Sequence, residues 1–400
     1  MNIITLLMLL SILLLPEFFV VNFDAESAST GSLIAYLVII ILIAFTAHKK
    51  LFYIKRFTIT LISVITIATI LSIIGGIIAG TTFDIVKFGG SFLLLIMQLY
   101  TAQLLYMELQ GLSGEAIDNI SKKIVGILLA IGSYYGYKLN FNPSGNARMF
   151  FFTEPSHFAT HIAPFLIYLL ITLRTSSTLV LAIFTSLLSI LLSSSTLLIA
   201  LFVGSSIRFL KMKNMWDRIA LFSIIASGFI LGLIQYFVDR FNAVLVADND
   251  SQNISGIVYI QGWEFIYSTL QKGFLFGIGL NQMGNIELDS VAADALIEMD
   301  LPLNWNDGSF LLSKLVVELG MFGMFFAIFY IVILVRTIKL IQARVIQSSF
   351  DAYYKKNIFF WSLGIAFLIP LVIRNTNYFN ATVTLFIVFL FYFYTYIKKH

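Results

Sequence analysis

Residues 146–173 read NARMFFFTEPSHFATHIAPFLIYLLITL. The first sixteen set an arginine, a glutamate and two histidines where a loop meets an apolar run. The run that follows carries no charge and continues as a hydrophobic helix. Charge placed at such a junction needs a reason, because the rest of the chain has little of it.

Of 400 residues, 59% are hydrophobic and 12% charged, and the mean hydropathy is +0.93, which is too apolar for a water-soluble domain. Runs long enough to cross a ~30 Å hydrocarbon core recur from end to end. They do not alternate as barrel strands do, so they read as helices. The fold class is therefore all-α, a polytopic membrane bundle of about twelve spans. These fall near 2–21, 32–47, 57–78, 90–107, 124–139, 157–173, 177–193, 195–210, 219–237, 309–335, 357–373 and 381–397. The pair flanking Ser193, Ser194 and Ser195 reads either as half-helices or as one long tilted helix. Three regions result: a transmembrane bundle over 1–237, one long external loop over 238–308 and a C-terminal set of helices over 309–400.

No basic residue precedes the first apolar run, and Pro16-Glu17-Phe18-Phe19 does not resemble a cleavage site, so the run reads as a retained span. Cysteine is absent, which excludes disulfides, thiolate metal sites and a cysteine nucleophile. The formal charge of +4 is spread over short clusters between spans, which gives no basic face for nucleic acid.

Those clusters orient the chain. Alternate loops hold 18 of the 25 lysines and arginines, from Lys49 and Lys50 through Lys122, Arg208 and Lys355 to Lys399. The other side holds Lys87, Lys138, Arg148, Arg240, Lys272, Lys314 and Arg374, with 16 of the 21 carboxylates. Both termini are expected in the cytoplasm. An external cation then stands out against acidic surroundings and becomes a candidate for holding an anion.

Arg148 shares its loop with Phe150, Phe151 and Phe152, a cluster suited to the membrane interface. Its fork of donors fits a diphosphate, although an interfacial arginine can also snorkel to headgroups. Glu154, His157 and His161 share a helical face behind Pro155, which sits in the first turn where its missing N–H does no harm. That face can take a proton from a hydroxyl, bind a divalent metal or, for His161, serve packing alone. Arg374 lies between two apolar helices, where a charge is expensive unless paired or hydrated. It is either functional or paired with a carboxylate. In the long loop, residues 257–270 look helical, with Trp263, Ile266, Tyr267 and Leu270 on one face. Gly277 and Gly279, ahead of Asn281, would let the backbone come close to a ligand or to another helix. Asp307 or Ser309 is expected to cap the next helix.

Three pieces in this order resemble the Wzy-type O-antigen polymerases, in the superfamily that also holds the O-antigen ligases. They are Arg148 with Thr153 to Ala159, Gln261-Gly262-Trp263 running to Gly277–Gly284, and Asp307–Lys314 ending at Glu318-Leu319-Gly320. The resemblance implies a GT-C-like membrane glycosyltransferase of the bacterial inner membrane with its site facing the periplasm. It would be inverting and would use no metal or cofactor. Its substrate would be an undecaprenyl-diphosphate-linked oligosaccharide in the surrounding lipid, and a chain-length regulator and a flippase are candidate partners. Carried over, diphosphate binding falls to Arg148, Arg240, Arg374 and Lys272, the base to Glu154, His157 or Asp307, and a loop near the ligand to Gly277, Gly279 and Asn281. Relatives often carry a histidine near the position of Asp307 and an arginine near that of Gly256; this chain has neither. A ligase, or from another class a lipid-linked oligosaccharide flippase, are the competing expectations.

Overall fold

The computed structural model describes residues 3–23, 28–78, 80, 82–141, 150–212, 214–232, 254–273, 275–285, 289–299, 310–345, 352–374 and 377–398. Arg148, Arg240 and Asp307 lie outside the described residues. Among the described residues no strand occurs.

The first half of the chain forms α1 (Ile3–Phe23), α2 (Ala28–Ala47), α3 (Arg56–Ile78), α4 (Ile85–Gly111), α5 (Gly114–Phe141), α6 (Pro155–Thr172), α7 (Thr175–Leu191), α8 (Ser195–Lys211) and α9 (Met215–Gly232). The segment between α9 and residue 309, expected to be external, contributes α10 (Ile254–Gln271) and α11 (Val291–Glu298). Then come α12 (Leu311–Leu319), α13 (Met321–Val345), α14 (Ala352–Ala366), α15 (Leu368–Val372) and α16 (Ala381–Ile397). Helices thus lie at every expected span, and among the described residues six stretches are long and apolar enough to cross a membrane.

One expected span divides, one expected cap falls outside the described residues, and one open reading is decided. The run 309–335 is not one helix, because Gly320 takes φ 57° and ends α12 before α13 begins. Phe310 stands at the N-cap position of α12 and makes no side-chain capping bond, and the expected caps, Asp307 and Ser309, lie outside the described residues. Phe310 is fully buried and packs on Trp263 and Tyr259, with ring centroids 4.9 and 5.3 Å away, and this packing accompanies its extended backbone. Around Ser193 the chain makes two helices joined by a tight turn. Ser193 sits at φ 49° and the Ser194 hydroxyl accepts the Leu197 N–H.

Burial sorts the helices into an inner and an outer set. Every residue of α6 from His157 to Thr172 is buried, as is α16 from Ala381 to Phe393. The stretch Tyr354–Val372 is 78% buried, against 22% for α3 and 22% for α13, whose apolar side chains form part of the exterior. Lipid tails are as apolar as leucine, so such helices associate through close packing and polar contacts. Glycines supply the closeness where α5 and α8 cross α6. A Cβ on Gly132 would stand 2.8 Å from the Phe158 ring, and one on Gly204 would stand 3.2 Å from the Ile167 Cα. Aromatic packing finishes the centre, with Phe367 stacked on Phe386 at 3.8 Å.

Charged groups segregate to the two ends of this bundle. At one end Lys50 pairs with Glu108 at 2.6 Å, and Asp118 pairs with Lys122 and Lys355 at 2.8 and 3.5 Å. The Tyr168 hydroxyl donates to this same Asp118. At the other end Glu154 pairs with Arg374 at 3.0 Å. Glu154 and Tyr168 are separated along α6 by roughly 20 Å at 1.5 Å per residue. Each of these ion pairs joins residues that the charge asymmetry had put on one side.

Small cores form around α10 and α11, one of them shared with α12. Phe265, Ile278, Met283, Ala293 and Val317 form one, and Ile257, Val258, Ala292 and Leu296 another. The face of α10 carrying Trp263, Tyr267 and Leu270 points outward instead, these three being 43%, 64% and 52% exposed. In a segment flanked by apolar surroundings, an apolar stripe does not by itself mark the inward face.

Candidate functional site

Four chain segments meet at the N-terminal end of α6. Pro155 opens that helix and Glu154 is its N-cap, in extended conformation and with its side chain free of the capping role. Instead the Glu154 carboxylate takes both its oxygens to one nitrogen of Arg374, at 3.2 and 3.0 Å, and accepts the Ser156 hydroxyl at 2.9 Å. Arg374 is placed by α15, its N–H donating to the Ile369 carbonyl at 3.1 Å. Of the two expectations for Arg374, the paired one is what the structure holds. Burial works against charge on Glu154, but Arg374 and His157, with the Ser156 hydrogen bond, hold its carboxyl below the ordinary glutamate range.

The second carboxylate was not among the expected site residues. Glu17 of α1 is 2% exposed, and its Oε2 accepts the Thr153 hydroxyl at 2.7 Å and stands 3.3 Å from His157 Nδ1. Thr153 Oγ1 is in turn 2.6 Å from that same Nδ1. A hydroxyl has one proton, and Thr153 gives it to Glu17. Nδ1 of His157 must therefore be the donor toward Thr153 and Glu17, which leaves the lone pair of the neutral ring on Nε2. Among the described residues no hydrogen bond is made to that Nε2. Because both partners sit on one ring nitrogen, Thr153 is an orienting group and not a nucleophile activated by a relay through the ring.

Local structure explains how Glu17 gets there. Pro16 removes an N–H from α1, and Gly31 of α2 brings its backbone against the Leu15 and Pro16 carbonyls, where a Cβ would stand 2.5 Å from each oxygen. The end of α1 is tied to the approach to α6 by Asn22, whose Nδ2 donates to the Phe150 carbonyl at 2.8 Å. Of the phenylalanine cluster only Phe150 is exposed. Phe152 is fully buried against Phe158 and the His161 ring, 5.6 and 5.3 Å away. His161 itself is 1% exposed and leaves Nδ1 without a partner among the described residues. The metal alternative finds no support, since Glu154 is turned to Arg374. No group of three or more ligating side chains stands together among the described residues.

The remaining expected residues lie elsewhere. Lys272 follows the C-terminal end of α10 and pairs with Asp289 at 3.2 Å. It is thirteen residues along from Tyr259, whose hydroxyl reaches the Val372 carbonyl near Arg374, so roughly 20 Å of helix separates it from the cluster. Gly277, Gly279 and Asn281 pack on helix backbone. Ile278 and Gly279 donate to the Val317 and Glu318 carbonyls, each at 3.1 Å, and Asn281 donates through its N–H to Glu318 and through its side chain to Ser91. Gly277 has φ 78°, and a Cβ on it would strike the Glu318 backbone. Close approach to another helix is therefore the role these glycines play here. Glu17 could have been found by one signal, a carboxylate inside an otherwise uncharged apolar run, which membrane burial makes expensive without a function or partner.

No family model, curated protein or solved structure matches this chain.

Proposed function

We propose that this protein is a membrane glycosyltransferase of the Wzy O-antigen polymerase type. It transfers a growing glycan from undecaprenyl diphosphate to the terminal sugar of a new lipid-linked repeat unit. The observation that carries the reading is the pairing of an oriented, buried imidazole with an arginine–carboxylate pair at one end of the bundle. Twelve crossings, cytoplasmic termini and a site facing the periplasm of the inner membrane belong to the same proposal, supported by the charge asymmetry of the loops.

The chemistry assigns the groups as follows. The acceptor hydroxyl gives its proton to His157 Nε2 as its oxygen bonds the anomeric carbon. Glu17 stabilises the imidazolium that forms and, with Thr153, keeps the ring in the competent tautomer. The bond from the anomeric carbon to the phosphate oxygen breaks on the opposite face, which inverts the centre, and the lipid diphosphate departs with the electron pair. Arg374 exchanges the Glu154 carboxylate for that diphosphate and offsets its charge. Arg148 and Arg240 are proposed to share the load, and Lys272 lies too far along α10 to join them at this end. Glu154 is a weaker base than expected, because Arg374 holds it ionised. The base is therefore assigned to His157, and Glu154 keeps the arginine's place when no diphosphate is bound.

Purified full-length chain given an undecaprenyl-diphosphate-linked repeat unit should build a ladder of lengthened glycans. His157→Gln and Arg374→Ala should each abolish the ladder. Sugar passed only to lipid A core, never to a second repeat unit, would make the protein a ligase. Transport of the lipid with no bond made would make it a flippase.

A further inference from the structure

One buried carboxylate takes no part in the steps above. Glu318, at the C-terminal end of α12, is 1% exposed. Its Oε2 accepts the Asn281 N–H at 2.6 Å and the Tyr378 hydroxyl at 2.7 Å, and its Oε1 accepts the Met283 N–H at 3.3 Å. Two of these donors belong to the glycine-rich turn of the external segment. The third belongs to the short connection between α15 and α16, four residues after Arg374.

Both partners are fixed by further contacts. The Tyr378 carbonyl accepts Gln98 Nε2 at 3.0 Å, and the next carbonyl, of Phe379, accepts the hydroxyls of Ser32 and Tyr36 at 3.0 and 3.1 Å. Tyr378 is thus held at its backbone by α2 and α4, and at its hydroxyl by Glu318. On the other side the turn is bonded to α12 and α13, with Met321 donating to the Leu275 carbonyl at 2.8 Å. A buried carboxylate is strongly disfavoured unless its acceptor sites are filled, so displacing either set of donors is resisted by the other. The position of the turn and that of the Arg374 segment are therefore linked through one carboxyl group.

We propose that Glu318 and Tyr378 are a positioning pair that couples the external glycine-rich turn to Arg374. The proposal rests on the reading that Arg374 grips a diphosphate. Through this pair, whatever the external segment engages bears on how the arginine fork is presented, although neither residue touches the reacting atoms.

The test uses full-length protein in detergent micelles, with methylene diphosphonate as the probe and titration calorimetry as the readout. Tyr378→Phe removes one hydroxyl and should weaken binding about tenfold, the scale of a lost hydrogen bond to a charged group. Glu318→Gln should weaken it as well, and the double variant should be no worse than the poorer single one, since both changes break one link. Tyr330→Phe is the control for general loss of stability. It removes a buried hydroxyl that donates to the Gly364 carbonyl at 3.1 Å in the bundle centre, so it should lower the thermal midpoint and leave diphosphonate affinity unchanged. In turnover, Tyr378→Phe should raise KM for the lipid-diphosphate donor more than it lowers kcat. If Tyr378→Phe and Glu318→Gln bind the probe like the parent protein while Arg374→Ala has lost it, the coupling is wrong and the diphosphate reading stands. If Arg374→Ala also binds like the parent protein, the diphosphate reading falls, and the coupling falls with it.

Discussion

Replacing Glu17 with glutamine removes a charge from beside His157 while keeping volume and a group that can accept the Thr153 hydroxyl. With Oε2 3.3 Å from Nδ1, a full charge on both groups interacts by roughly 5 kcal/mol at an effective dielectric of about 20. Proton transfer is about half complete in a typical transition state, so roughly 2–3 kcal/mol of that acts on the barrier. At about 1.4 kcal/mol per tenfold, Glu17→Gln should lower kcat/KM by roughly a hundredfold. The assay is initial-rate elongation of a lipid-diphosphate repeat unit by purified protein, with the thermal midpoint measured alongside to establish that the variant is folded. A folded Glu17→Gln enzyme within threefold of the parent rate would refute the claim that this carboxylate supports the imidazole during catalysis.

Arg374→Lys keeps the charge but loses the planar fork, and should reduce polymer yield by more than tenfold in a complementation assay scored by glycan ladder. Gly277→Ala places a side chain at φ 78° and against the Glu318 backbone, so it should destabilise the protein by about 3 kcal/mol, read as a lowered thermal midpoint. The Glu154–Arg374 pair sets a pH dependence. The folded carboxyl lies below its unfolded value, so its contribution is present above the ordinary glutamate range and is lost as pH falls through the folded value. With the Glu154 side chain 44% exposed, screening keeps that contribution below about 1 kcal/mol. The difference in thermal midpoint between the parent and Glu154→Gln should therefore be small at neutral pH and vanish on acidification beyond that range. Elongation should persist in EDTA, because Arg374 is proposed to offset the diphosphate charge that a divalent metal would otherwise neutralise; a requirement for added Mg²⁺ would overturn this.

The helices were legible because membrane burial writes itself into composition, and a long uncharged run has few other readings. Breaks were harder to see. Gly320 sits in an apolar stretch that reads as continuous, and its left-handed backbone is dictated by the turn packed against it. The spacing placed His157 and His161 on α6, but Glu154 stands at its N-cap in extended backbone, and the partners were not legible. Those come from Glu17 and Arg374, at 140 and 220 positions' remove from the residues they bond. No local pattern encodes such pairings. The shared face of Trp263, Tyr267 and Leu270 was legible from spacing, but spacing does not say which way the face points, and the structure turns it outward.

The enclosure of α6 bears on how the molecule comes to be made. Thr382 in the final helix donates to the Thr160 carbonyl at 2.8 Å, a contact between positions 222 apart. Until α16 arrives, α6 has an uncovered side and an unclosed polar seam. A ribosome halted before residue 381 would leave a product whose earlier segments can insert into lipid. The packing around α6 would nonetheless lack one side, so closure of this part of the bundle waits on the synthesis of residues 381–393.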